Sequence, residues 1–153
     1  MWSDNDVYFM KLAMEEGERA GRSDEVPIGA VLTVDDQLLA VGYNCPVRNN
    51  DPTAHAEIIA LRSASEWLKN YRIPNTTIYV TLEPCLMCFG ALIQARVARV
   101  VFGARDLRIG TSRLVCSLRN VNHRLACEGG LLEEECREQL QSFFRRRRQR
   151  ELP

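Results

Sequence analysis

The chain has 153 residues, 46% hydrophobic and 26% charged, with a formal net charge of zero, as expected of a globular domain in water. One domain over 1–153 buries enough surface to fold without disulfide staples. No apolar run approaches the roughly 20 residues of a membrane span, and the acidic start, MWSDNDVYF, argues against a signal peptide, so the expected location is the cytoplasm with no membrane partner.

Residues 6–20 carry Val7, Met10, Leu12 and Met14 among acids, which predicts a first helix ending near Gly17 or Gly21. Residues 28–34 and 38–44 are β-rich runs separated by Asp35, Asp36 and Gln37, a hairpin signal. Asp51 before Pro52 and Thr53 reads as a helix start, with the helix running from about Ala54 to Lys69. Ile58, Leu61, Ser65 and Leu68 form its approximate apolar stripe. Residues 78–83 read as a strand, Pro84 opens a helix to about Arg96, and 98–104 read as another strand. Residues 105–124 read as loop with short elements. Residues 130–148 read as a C-terminal amphipathic helix anchored by Leu131, Leu132, Leu140, Phe143 and Phe144. Strand, helix, strand over 78–104 is a βαβ unit; with the leading hairpin it predicts an α/β fold, a mixed sheet with helices on both faces.

Zero net charge conceals an asymmetry. Residues 1–95 hold 7 basic and 13 acidic groups, and residues 96–153 hold 13 basic and 7 acidic. Of 20 basic residues 18 are Arg, whose planar guanidinium suits phosphate and stacks on bases. The run FFRRRRQR at 143–150 joins two aromatics to four consecutive Arg, a combination that fits single-stranded nucleic acid, although helix-dipole compensation accounts for part of it.

Six cysteines in a chain of this kind point to metal or core packing rather than to a disulfide framework. Cys85 and Cys88 share the first turn of a predicted helix, where the N-terminal dipole favours thiolates. His55, at another helix start, can supply a third ligand. Cys₂His with one open position is the pattern of a catalytic zinc site, in which a bound water has a pKa near 7. Glu57 lies two residues from His55, about 200° around a helix, so it is expected to move protons rather than to ligate. Cys116, His123 and Cys127 make a rival metal set without a clear fourth ligand, and Cys45 and Cys136 read as small core or surface residues.

H-x-E followed by P-C-x-x-C is the signature of zinc deaminases. From about residue 26 to 149 the sequence also resembles the bacterial tRNA-specific adenosine deaminases of the TadA type. The stretches that carry the resemblance are VPIGAVL (26–32), DPTAHAEIIALR (51–62), YVTLEPCLMCFGALIQARVARVVFGARD (79–106), NHR (122–124) and FFRRRRQ (143–149). It implies a three-layer α/β/α deaminase fold, one Zn²⁺ per chain and a homodimer. It also implies conversion of the wobble adenosine to inosine in the anticodon stem-loop of an arginine tRNA. Under that resemblance His55, Cys85 and Cys88 match the zinc ligands and Glu57 the proton shuttle. Asn44 matches a residue that hydrogen-bonds the target adenine, and Asp106 a substrate-loop residue near the target nucleotide. The sequence departs from the family between Ile109 and Asn120, where the loop is shorter and richer in Arg.

Two rivals stand beside this reading. A guanine, cytosine or nucleoside deaminase shares the metal motif, but a free base needs no Arg-rich surface. A zinc-stabilised RNA-binding module needs no Glu57. The helix at 86–96, with Leu86, Met87, Phe89, Leu92 and Ile93, has more apolar surface than one face uses, which independently predicts a two-fold partner.

Overall fold

The computed structural model describes residues 1–152. Helix α1 (Asp4–Arg22) begins at Ser3, whose hydroxyl accepts from Asp6 N while the Asp6 carboxylate accepts from Ser3 N, a reciprocal capping box. Of the two predicted ends, Gly17 and Gly21, the helix runs through the first and ends beside the second, at Arg22. Gly17 is buried in a stripe with Phe9, Met10, Ala13 and Ala20, and it faces another glycine, Gly29. A Cβ on Gly29 would stand 1.9 Å from Ala13 O and 2.4 Å from Gly17 N, so helix and strand touch backbone to backbone there.

Strands β1 (Gly29–Val34) and β2 (Gln37–Tyr43) form the predicted hairpin. Asp35 and Asp36 both take positive φ, 49° and 56°, the geometry that a two-residue hairpin turn requires. A one-turn helix, α2 (Pro46–Asn49), follows, too short to show a periodicity from which it could be predicted. Helix α3 (Ala56–Leu68) starts later than Pro52 implies. Asp51 instead caps a tight turn, its Oδ1 accepting from the Thr53 N–H at 2.9 Å and from the Thr53 hydroxyl at 2.7 Å. The buried face of α3 is the predicted one in part: Ile58 and Leu61 are buried, but Leu68 is exposed, and small residues Ala56, Ala60 and Ala64 complete the contact. These alanines allow close approach to β2, where a Cβ on Gly42 would lie 2.3 Å from Ala56 O.

Strand β3 (Thr76–Leu82), helix α4 (Leu86–Gln94) and strand β4 (Arg99–Ala104) are the expected βαβ unit, with β3 and β4 parallel. Helix α5 (Thr111–Ser117), strand β5 (Ala126–Gly129) and helix α6 (Glu133–Glu151) complete the order. The last helix begins three residues later than predicted, because Leu132 in left-handed conformation serves as its N-cap. The sheet runs β2-β1-β3-β4-β5; β1 is antiparallel to both neighbours, and β5 is parallel to β4.

Register explains the two cores. Leu32, Ile78 and Val100 lie opposite one another across β1, β3 and β4, as do Ala30, Val80 and Phe102. This face packs with Ala60, Leu61, Phe89, Leu92 and Val115 of α3, α4 and α5. The alternate row, Val31, Tyr79 and Val101, packs with Phe9, Met10 and Cys136 of α1 and α6. The result is the three-layer α/β/α arrangement, and the C-terminal ends of parallel β3 and β4 open on the same edge, where ligands bind in such sheets.

Candidate active site

Two helix N-termini meet at that edge. His55 caps α3 in extended conformation (φ −74°, ψ 156°), and Cys85 caps α4 in the same way (φ −73°, ψ 172°). Neither side chain makes a capping hydrogen bond, so both are free to face one another. His55 Nδ1 lies 3.5 Å from Cys85 Sγ and 3.6 Å from Cys88 Sγ. One donor atom from each residue lies within 4.8 Å of the others, and among the described residues no second group of three is so placed. Ligands 2.0–2.3 Å from a tetrahedral ion stand about 3.6 Å apart, so nitrogen and two sulfurs fit a zinc-sized cation.

The titration of the cluster carries the same message. The Cys88 thiol, donating to Cys85, and then His55 hold the Cys85 thiol down at about 4. Cys88 is pushed far up by its bond to Cys85 and by burial, and His55 is pushed up by its bond to Cys85. The three groups share protons that a divalent cation would displace. Glu57, in the first turn of α3, is buried beside Cys88, and desolvation raises its carboxyl above the usual range.

A cavity of about 560 Å³ opens from His55, within the 300–1,000 Å³ common for small-ligand sites. Asn44 lines it, buried at 5% exposure, with its backbone N–H on Ile28 O at 3.0 Å. Asp106 lines it from the loop after β4; its Oδ1 accepts from Arg108 N at 3.0 Å and lies 3.5 Å from Arg108 Nε. Arg105, Arg108, Arg137 and Phe144 form the outer rim. His55, Cys85, Cys88, Glu57, Asn44 and Asp106 therefore all gather at one end of the sheet.

The rival metal set does not assemble. His123 Nε2 is 2.7 Å from Val97 O, and Cys116 is exposed. Cys45 and Cys136 are buried core residues. In the basic run, Phe143 is buried while Phe144 is 39% exposed. Arg145 pairs with Glu138, Arg147 lies 3.9 Å from Glu151, and Arg150 is 3.0 Å from Asp24. Arg146 reaches Ser142 Oγ at 3.0 Å, so much of the Arg run has local partners.

Two buried acids escaped the sequence reading. Glu25 accepts from Arg48 N at 2.7 Å and Val47 N at 3.4 Å, fixing α2 next to Asn44. Glu83 accepts three hydrogen bonds from the segment 106–112. The available signal for Glu83 was an acid at the end of an apolar strand, directly before Pro84.

Comparison with known proteins places these features. The family model of MafB19-like deaminases matches residues 3–148. A tRNA-specific adenosine deaminase of Buchnera aphidicola subsp. Baizongia pistaciae is 45% identical over 150 residues, 95% of this chain and 91% of the relative. A solved structure from work on tRNA:A34 deaminases, which edit A to I at the wobble position of transfer RNA, is 42% identical with a TM-score of 0.81, covering 87% of this chain and 99% of the other. A guanine deaminase structure from Bacillus subtilis is 34% identical with a TM-score of 0.63, covering 69% and 68% of the two chains. On that identity and coverage, the chain belongs to the family of the bacterial tRNA-specific adenosine deaminases, within the cytidine deaminase-like fold.

Proposed function

We propose that this single deaminase domain converts adenosine to inosine at the wobble position of a tRNA anticodon loop, an arginine tRNA by the resemblance above. Water is consumed and ammonia released. The observation that carries the proposal is the convergence of His55, Cys85 and Cys88, of which His55 lines a cavity also lined by arginines and a partly exposed phenylalanine. His55, Cys85 and Cys88 would hold one Zn²⁺ per chain. When bound, the ion acts as a Lewis acid that brings the pKa of a water to about 7.

The chain's own groups do the rest. Burial raises the Glu57 carboxyl above its usual range, which makes its ionised form a stronger proton acceptor than an exposed carboxylate. It takes one proton from water and delivers it to the purine ring, then takes the second from the new C6 hydroxyl and hands it to the departing amine, which leaves as ammonia. The Asn44 amide offers one donor and one acceptor to the adenine edge. The unpaired bases of an anticodon loop enter such a pocket at little unstacking cost. Arg108, exposed at the rim, is placed for a flanking phosphate, and Phe144 for stacking. Location in the cytoplasm, where tRNA is found, belongs to the same proposal; no helix among the described residues is long and apolar enough to cross a membrane.

The competing reading, deamination of a free purine, draws on the likeness to the guanine deaminase. One experiment separates the two. Zinc-loaded protein is incubated with an arginine tRNA anticodon stem-loop and, separately, with guanine. Inosine at the wobble position, read as G in cDNA, is the expected product. Glu57→Gln should retain zinc and lose turnover by roughly 10²–10⁴-fold. Guanine turnover with unchanged RNA would overturn the proposal.

A further inference from the structure

Glu83 lies between the last residue of β3 and the N-cap of α4, two positions before Cys85, and is 5% exposed. Its backbone N–H donates to Ala104 O at 2.8 Å, extending the parallel ladder by one rung. Its carboxylate makes no ion pair among the described residues. It accepts instead from Asp106 N at 2.8 Å on Oε2, and from Ser112 N at 2.8 Å and the Ser112 hydroxyl on Oε1. All three donors belong to the segment after β4 that carries Arg105, Asp106, Leu107 and Arg108 into the cavity wall.

At its ends the segment is held by Arg105, whose Nη2 donates to Gly129 O at 3.0 Å, and by buried Thr111; its middle has less to fix it. Leu107, Arg108 and Ile109 are exposed, and Gly110, at positive φ, supplies no side-chain cap to α5. The Ser112 amide is one of the orphan donors of the first turn of α5, and Glu83 satisfies it from another part of the chain. The Asp106 side chain in turn accepts from the Arg108 backbone, so the hold on residue 106 passes to the exposed guanidinium at the rim.

We propose that Glu83 is a positioning residue for substrate recognition: it ties the turn bearing Cys85 to the loop bearing Asp106 and Arg108, and so sets where the flanking nucleotide is held. The proposal rests on the tRNA reading above. Glu83 touches neither the substrate nor the reacting atoms. A buried carboxylate with backbone donors on both oxygens is a rigid link, because each oxygen can only accept and each N–H can only donate. Gln at 83 would keep one acceptor and place an NH₂ group against a donor, which expels one of the two anchor points.

The test is Glu83→Gln in the zinc-loaded full chain, with steady-state kinetics on the anticodon stem-loop and amide exchange by NMR. Zinc content should remain at the wild-type level. KM should rise roughly tenfold, and kcat should fall less than threefold. The amides of Asp106 and Ser112 should exchange at least tenfold faster, while Val80 in β3 stays protected. Ser112→Ala, which deletes only the hydroxyl donor, guards against misfolding of the first variant and should raise KM about two- to fivefold. An unchanged KM in both variants overturns the proposal, as does a fall in kcat with zinc loss and unchanged KM, which would make Glu83 a support of the metal turn alone. If wild-type protein leaves the RNA unedited, the tRNA reading fails separately, and unchanged exchange at Asp106 and Ser112 would still refute the tie itself.

Discussion

Replacing Asp6 by Ala removes the hub of a buried polar network that links α1 to two strands. Asp6 accepts from Tyr79 Oη at 2.9 Å and from Arg99 Nη1 at 2.7 Å, besides its role in the capping box. Burial opposes ionisation of Asp6, but the bonds from Arg99, Ser3 and Tyr79 outweigh it and hold the carboxyl well below the usual range. Breaking a buried pair costs about 3–5 kcal/mol; Arg99 is partly exposed and keeps Glu128 at 2.7 Å, so about 2–4 kcal/mol is the expected loss. At roughly 2–4 °C per kcal/mol for a chain of this size, Tm should fall by about 4–16 °C. Because the folded pKa lies below the unfolded value near 3.9, the stabilisation is complete above that value and is lost as pH falls through it toward the folded pKa. Urea unfolding of wild type and Asp6→Ala, repeated from pH 7 to pH 3, should show their difference shrinking by about 1 kcal/mol at pH 3. A difference under 1 kcal/mol at pH 7, or one independent of pH, would refute this account.

Metal analysis of Cys88→Ala should show most of the zinc lost, with lower stability; full stoichiometry would remove Cys88 from the ligand set. Changing Arg145, Arg146, Arg147 and Arg148 to Gln should weaken tRNA binding and flatten its salt dependence, with little effect on turnover at saturating RNA. An unchanged affinity and salt slope would place the run off the RNA path. Leu86 is 60% exposed and Met87 38%, so α4 presents the apolar surface expected of a two-fold contact; light scattering at micromolar concentration should give twice the 17.4 kDa chain mass, and a monomer mass would refute the dimer.

The meeting of His55, Cys85 and Cys88 was legible because metal chemistry favours those residue types together and because two helix starts are marked by local signals. The hairpin was legible for the same reason, since Asp35 and Asp36 announce their turn. The face of α3 was legible only in part: Ile58 and Leu61 are buried as predicted, whereas Leu68 is exposed, and Gly42 and the alanines, chosen for closeness, give no stripe of large apolar residues. The start of α3 was misplaced because Asp51 and Pro52 carry a cap-like signal that is satisfied by the Thr53 turn. Glu25 and Glu83 were missed since an isolated acid has no periodicity, and its partners lie 22 to 29 residues away. β5 escaped because its alternation of exposed and half-buried residues is too short and too weakly apolar to stand out.

Along its 19 residues α6 buries only Cys136 and Phe143, whereas β1, β3 and β4 are buried along most of their length. Free energies of local opening follow that difference, lowest where few apolar contacts must be broken. The helix that supplies Phe144 to the cavity can thus detach without unfolding the strands that carry Cys85 toward His55. Under the proposed function, access for a bulky RNA and retention of a metal at His55, Cys85 and Cys88 would then depend on separate opening events, the first shallower than the second.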